Sequence, residues 1–344
     1  MGRVARLHTL NVGTGQVRDL FEGTHFELTR TDPDALQFDI AADGKRLVFS
    51  FDPNPEKRIG NCFALAEMDI STRRTRVIVQ DSDWDCGAPR YSPDGARIAF
   101  TASHQGAKHT MPAQLAVWQR KSQDWQVVSG EWDHEVQGPL RWDEVEDGEG
   151  DSNALLFTAQ QEGRQHLWRF DIAKRSAAVV SRGGWVQAFD KQAGVLVTLA
   201  DSIEHPARIH AQLAERPAQR IETFNDEQLS SVQFGRSEEL WFKGAASTPG
   251  GKAERVQMWL TYPPGFDGKS KAPLMQLIHG GPHTAFGDAW HWRWNVQAMA
   301  AQGYVVACVN YHGSSGFGHA FLDSITHRWG ALELHLCRHK ERRH

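Results

Sequence analysis

The sequence predicts two architectures in succession: an incomplete all-β propeller over residues 1–245, then the start of an α/β-hydrolase domain over residues 246–334. Three observations carry this reading. A turn-and-strand pattern recurs at the period of a propeller blade, a strand–helix–strand unit follows it, and both strands of that unit run into glycine-rich loops.

The repeat is clearest at Asp43–Ser50 and Asp94–Thr101, which both read Asp-Gly, one residue, Arg, then an apolar strand ending in Phe. Weaker copies lie at Asp151–Thr158, Lys191–Thr198 and Arg236–Lys243. Their central residues Phe49, Phe100, Phe157, Val197 and Phe242 are 40 to 57 residues apart. An Asp-Gly pair between alternating segments is a strong hairpin signal. Further strands follow each of the first four copies, as at Phe63–Ile70 then Arg76–Val79, and at His166–Ile172 then Ala177–Val180. Roughly four strands per period of about 40–50 residues is the mark of a blade; the alternative is a β-sandwich with incidental Asp-Gly turns. Residues 3–20 read as the last two strands of a blade, with about four full blades and part of another after them. Because stacked repeats need neighbours to bury their faces, the reading expects the front of the propeller to lie outside these residues.

Composition narrows the classes. Hydrophobic residues make up 40% and charged residues 23%, and the net charge of −4 gives no sign of a nucleic-acid or membrane-surface binder. No apolar stretch approaches the ~18 residues that span a bilayer. The amino terminus as written lacks a signal-peptide core, which reads as cytoplasmic; a missing amino terminus would leave a periplasmic location open. Cys62, Cys86, Cys308 and Cys337 have no Cys-x-x-Cys spacing, and Cys62 and Cys86 are expected to be free buried thiols, the alternative being a disulfide between them. No cofactor is expected.

After a linker-like stretch at residues 244–253 come a strand at Val256–Tyr262, a turn at Pro263–Gly268 and a strand at Leu274–Ile278. A helix is predicted from roughly Trp292 to Gln302, with Val296, Met299 and Ala300 at helical spacing and Gly303 as its stop. Trp290, Trp292 and Trp294 are expected to pack its start. The apolar run Tyr304–Val309 then reads as a parallel strand, which makes a right-handed strand–helix–strand unit. Its first strand leads into His279-Gly280-Gly281-Pro282-His283 and its second into the Gly/Ser loop 310–318. Parallel strands deliver such loops to one sheet edge, where α/β enzymes place their sites. Glycines directly after a strand free backbone N–H groups to face a cavity, so Gly280 and Gly281 are candidate oxyanion-hole donors.

These two loops, with His327–Gly330, resemble the catalytic domain of the prolyl oligopeptidase family of serine peptidases. The likeness is greatest to its dipeptidyl-peptidase and acylaminoacyl-peptidase-like bacterial members. It is specific over residues 256–330 and generic over the blades. It implies peptide-bond hydrolysis by acyl transfer, short peptides as substrates, a gating propeller, and active-site loops containing His279, Pro282, His283, Asn310, Tyr311 and Gly313. One position departs: His312 stands where arginine is more usual, which puts the loop's ion pairing in question. The resemblance also implies a Ser-Asp-His triad with its serine in Gly-x-Ser-x-Gly, and the 344 residues contain no such motif. Ser314 and Ser315 lack the spacing and follow a different strand. The chain is therefore expected to be a truncated fragment, inactive by itself, with exposed apolar edges and an aberrant basic tail at residues 335–344. His279, His283 and His291 read as loop-organising residues rather than a metal cluster. The alternatives are a non-catalytic propeller scaffold and an esterase or lipase of similar fold. Oligomeric state is not legible.

Overall fold

The computed structural model describes residues 4–30, 33–55, 62–106, 108, 110–143, 153–181, 183–213, 216–246, 251–330 and 332. The expected basic tail at 335–344, Cys337 and the first residues of the Asp151 repeat lie outside these. The chain divides into two compact units, Met1–Phe157 with Arg169–Ala178, and Thr158–Trp168 with Val179–His344. Strands Ala154–Gln161, Arg164–Asp171 and Ser176–Ser181 contribute residues to both.

In the first unit, His8–Leu10 and Val17–Asp19 form an antiparallel ribbon. Two four-stranded antiparallel meanders follow. One comprises Phe38–Ile40, Arg46–Phe51, Ala64–Asp69 and Thr75–Val79; the other Trp84–Tyr91, Arg97–His104, Gln114–Gln119 and Asp124–Val127. The Asp-Gly signals work by a shared mechanism. Asp43 Oδ1 accepts from Lys45 N at 3.0 Å and Asp94 Oδ1 from Ala96 N at 3.0 Å, while Gly44 and Gly95 take φ of 69° and 68°. The aspartate closes the turn and the glycine supplies the left-handed residue. Alternating apolar residues then face inward, Phe49 and Phe51 in the first meander, Ile98 and Phe100 in the second, all at most 1% exposed.

Glu67, 6% exposed, ties the two meanders together. It accepts from Arg76 at 2.7 Å, from Arg120 at 2.5 Å and from the Tyr91 hydroxyl at 3.0 Å. Burial pushes this carboxyl up, but hydrogen bonds from Arg120 and Arg76 outweigh it and bring it down to about 2. A depressed carboxylate stabilises the fold above its unfolded value and stops doing so as pH falls through the folded one.

The second unit carries another antiparallel meander, Trp185–Gln192, Val195–Ser202, His205–Leu213 and Gln219–Arg220. Gln165 pairs in parallel with Trp185 at its edge. The fifth copy of the repeat differs from the first four. Its strand, β1 (Ser237–Lys243), joins no meander but pairs antiparallel with β2 (Arg255–Thr261). The sheet continues with β3 (Leu274–Leu277), α1 (Val296–Ala300) and β4 (Val305–Asn310), in the order β1-β2-β4-β3. The pairing of β3 with β4 is parallel, so the strand–helix–strand unit is present. Its helix is shorter than the periodicity predicts. Asn295 caps it, its Oδ1 accepting from Ala298 N at 2.9 Å, and Trp292 and Trp294 are 75% and 54% exposed instead of packing on the helix start. Edge strand β3 leaves Leu274 54% exposed, and Ile278 just beyond it 65% exposed. Among the described residues no sheet closes on itself, and Cys62, Cys86 and Cys308 are free and buried.

Replacing Glu67 with Gln should lower unfolding free energy at pH 7 by about 3 kcal/mol, in the range for a broken buried ion pair. Urea denaturation at pH 7 and near pH 2 checks this. The gap between wild type and variant should shrink as pH falls below about 4.5, and a gap constant with pH would contradict the ion-pair origin.

Candidate active site

Leu277 of β3 lies opposite Cys308 of β4, so the loops 279–283 and 311–318 leave the sheet from one edge. Asn310, the last residue of β4 and 0% exposed, holds them in register. Its Nδ2 donates to Phe286 O at 2.8 Å and to Gln257 Oε1 at 2.7 Å, and its Oδ1 accepts from Phe286 N at 2.7 Å. Gln257, also 0% exposed, donates in turn to Glu162 O and to Glu239 Oε1. A second tie joins the loops, because Ser315 N donates to Thr284 O at 3.1 Å.

The expected site residues cluster around this clamp. The His279 ring stacks on Tyr311 with centroids 4.3 Å apart and an interplanar angle of 12°, and the Tyr311 hydroxyl donates to His279 O at 2.6 Å. His279 Nε2 lies 2.8 Å from Ser314 Oγ, and its Nδ1 lies 3.0 Å from Gly280 O and 3.1 Å from Thr284 Oγ1. Burial lowers the His279 pKa, with the Gly280 carbonyl opposing, which favours the neutral imidazole. A serine beside a neutral histidine has the look of a nucleophile and base. Ser314, however, is 0% exposed and its hydroxyl reaches Tyr311 O at 2.6 Å, so it is an interior strut rather than a group a substrate could meet.

His283 Nδ1 lies 3.0 Å from Gly313 O, which makes Nδ1 the protonated nitrogen. Gly313 has φ of 98°, and a Cβ there would sit 2.3 Å from Ile325 Cδ1. His312, 0% exposed, stacks on Phe321 at 4.6 Å and places Nε2 3.4 Å from Glu254 Oε2. A carboxylate therefore faces this position, as it would face an arginine.

The two candidate donors differ. Gly281 has φ of 126° and a Cβ there would lie 2.8 Å from His283 N, so glycine is a steric requirement. At Gly280 a Cβ would meet nothing within 4 Å. Its face is open, and neither amide N–H has a hydrogen-bond partner among the described residues.

That open face borders a cavity of about 730 Å³, lined by His279, Gly280, Trp185, Asp201, Trp259 and Phe286 among others. Sequence reasoning missed its floor. Asp201 is 3% exposed; its Oδ2 accepts from Gln187 Nε2 at 2.5 Å, while its Oδ1 has no partner among the described residues. Burial is the main cause that raises its pKa to about 6, with nearby Asp288 adding; the Trp290 amide and Gln187 act in the opposite sense. Nothing around Asp201 in the sequence marks it, since its burial is a product of tertiary packing.

Two outcomes follow from this geometry. Asn310→Ala strands the Phe286 amide groups and Gln257, and should cost about 2–4 kcal/mol by urea denaturation while speeding amide exchange at residues 284–288. For Asp201, the native state holds its proton between the unfolded value near 4 and about 6, so stability falls as pH rises through that window. Asp201→Asn should therefore melt at a higher temperature than wild type at pH 7, by about 2 kcal/mol in stability, with little difference at pH 4. An equal melting temperature at pH 7 would remove the buried-charge assignment.

Residues 290–335 match the prolyl oligopeptidase family. Dipeptidyl-peptidase 5 of Schizosaccharomyces pombe is 26% identical over 319 residues, covering 91% of this chain and 44% of that protein. Its counterpart in Trichophyton equinum is 30% identical over 316 residues, covering 85% and 41%. The chain thus spans less than half the length of these relatives. Among solved structures, an acylaminoacyl peptidase of Pyrococcus horikoshii shares the fold at a TM-score of 0.61 and 15% identity, over 97% of this chain and 59% of that one. A puromycin-hydrolyzing peptidase of Mycobacterium tuberculosis gives a TM-score of 0.60 at 15% identity, over 96% and 58%. The family match at the second loop, the named relatives and the common fold agree: the chain is similar to members of the prolyl oligopeptidase family of serine peptidases.

Proposed function

We propose that this chain supplies the oxyanion-stabilising half of a serine peptidase site, which acts on short peptides by acyl transfer. On this reading residues 1–245 are propeller blades that restrict access, and residues 246–334 begin an α/β-hydrolase catalytic domain. Strand β1 is the seam between them, since it carries the repeat's pattern but is paired to β2. The observation that carries the reading is the pair of amides at Gly280 and Gly281, just beyond the end of β3 and without a partner among the described residues, with Gly280 lining an open cavity. Amides fixed in this way meet developing negative charge without reorganising, which is the main electrostatic contribution to acyl transfer.

The neighbours have set tasks. Asn310 holds the loop at Phe286, Tyr311 fixes the His279 carbonyl, and His283 with Gly313 braces the second loop against the first. Pro282 turns the chain, its carbonyl accepting from Thr284 N at 2.9 Å. None of these supplies an attacking group. The sequence holds no Gly-x-Ser-x-Gly, so these residues contribute binding and charge stabilisation, and the triad serine, aspartate and histidine are assigned to none of them.

The test joins this chain to the segment that follows the aligned region in the Schizosaccharomyces pombe relative. The chimera should release p-nitroaniline from dipeptidyl anilides, and Gly281→Ala should lower its kcat by about 100-fold with little change in KM. Anilide cleavage unaffected by that substitution would refute the oxyanion role, and cleavage of esters alone would favour an esterase. The 344-residue chain alone should stay unlabelled by a fluorophosphonate; stoichiometric labelling of Ser314 or Ser315 would overturn the division of labour.

A further inference from the structure

The cavity beside Gly280 is lined by Trp185, Trp259, Trp290 and Asp201 among others. Three observations set it apart from a packing defect. Its volume of about 730 Å³ falls within the range of small-ligand sites, and it mixes an apolar wall with one charged group. Asp201 Oδ1 is buried without a hydrogen-bond partner among the described residues, although buried polar atoms are nearly always satisfied. The third is local fit at Gly287. A Cβ there would lie 2.3 Å from Trp185 Cζ3, so glycine at this position lets the aromatic wall close over the loop.

We infer that this cavity is a recognition pocket for a cationic group of the substrate, with Asp201 Oδ1 as its counter-charge and the three tryptophans as its aromatic walls. The inference rests on the peptidase reading above for the word substrate, and on the geometry alone for the ligand chemistry. A carboxylate oxygen accepts hydrogen bonds and attracts positive charge. Indole faces attract the same charge through their quadrupoles, and more strongly where water is excluded. An ammonium seated there would complete the unsatisfied oxygen. A neutral group would leave the carboxylate buried and uncompensated, which is the basis of discrimination by a desolvated charge. The cation could be a peptide's α-amino group or a basic side chain, because both present the same chemistry to Asp201.

The experiment measures equilibrium binding to the 344-residue chain, following tryptophan fluorescence during titration at pH 7.5. The probes are phenylalaninamide, its N-acetyl derivative and N-acetyl-lysinamide. Phenylalaninamide should bind at least about 10-fold tighter than its acetylated form, and Asp201→Asn should remove that difference. Tight binding of N-acetyl-lysinamide that is lost in the same variant would support the pocket and identify a basic side chain as the source. Binding indifferent to acetylation with no preference for N-acetyl-lysinamide either, binding unchanged in Asp201→Asn, or no saturable binding by any probe would overturn the proposal and leave Asp201 as an oxygen satisfied by water. The variant is isosteric and is expected to fold at least as stably as wild type, so a negative result cannot be attributed to unfolding. Because no bond is cleaved, failure here is distinct from failure of the chimera to hydrolyse anilides.

Discussion

Everything at the candidate site depends on one buried amide chain. Gln257 on β2 holds Asn310 on β4, and Asn310 holds both backbone polar groups of Phe286. The side chains of Asn310 and Gln257 are completely buried, so their hydrogen bonds have no water to fall back on and any loss is felt at close to full cost. The clamp converts the rigidity of a sheet into the position of a loop. Gly280 and Gly281 lie between β3 and Phe286, anchored at both ends, and can present their amides without drifting. That is what preorganisation requires of a charge-stabilising site.

The aromatic and histidine cluster serves the same end by a different means. His279 is stacked on Tyr311, bonded through its carbonyl to the Tyr311 hydroxyl, and faced by Ser314 and Thr284 at its ring nitrogens. A residue so fully engaged has little freedom left for proton transfer to a substrate. Its contribution is to fix the backbone just before the glycines. The serine–histidine contact inside the cluster is thus a structural bond, and burial distinguishes it from a catalytic one of similar length.

Much of this was legible in the sequence because local chemistry controls it. Asp43-Gly44 and Asp94-Gly95 announced hairpins through an aspartate that closes the turn and a glycine that enters the left-handed region. The apolar run 304–309 announced a parallel strand, and the glycines after it a loop at the sheet edge. What could not be read is what partner a strand takes. Ser237–Lys243 carries the blade pattern, yet its partner is β2, because alternation specifies faces and not neighbours. Similarly, the sequence places the helix start near Trp292, but the Asn295 cap begins the helix after that residue and Trp294. Asp201 was invisible for the most general reason: its burial and its missing partner are properties of the assembled unit.

Two buried carboxylates show how structure separates a strut from a site. Glu67 and Asp201 are 6% and 3% exposed, so both face the same desolvation penalty. Arginines 76 and 120 meet Glu67, and its carboxyl falls to about 2, so its charge stabilises the fold across the neutral range. Asp201 is met by the amides of Gln187 and Trp290 but by no cation among the described residues, and its carboxyl rises to about 6, so near neutral pH its charge works against the fold. A group that lowers stability and opens onto an aromatic cavity beside the candidate oxyanion donors has no structural reason to be aspartate rather than asparagine. Perturbed acids of this kind gather where binding or catalysis uses the charge. The compensating positive charge that Glu67 finds within its own unit is what Asp201 lacks, and the pocket in front of it has the shape to admit it from outside.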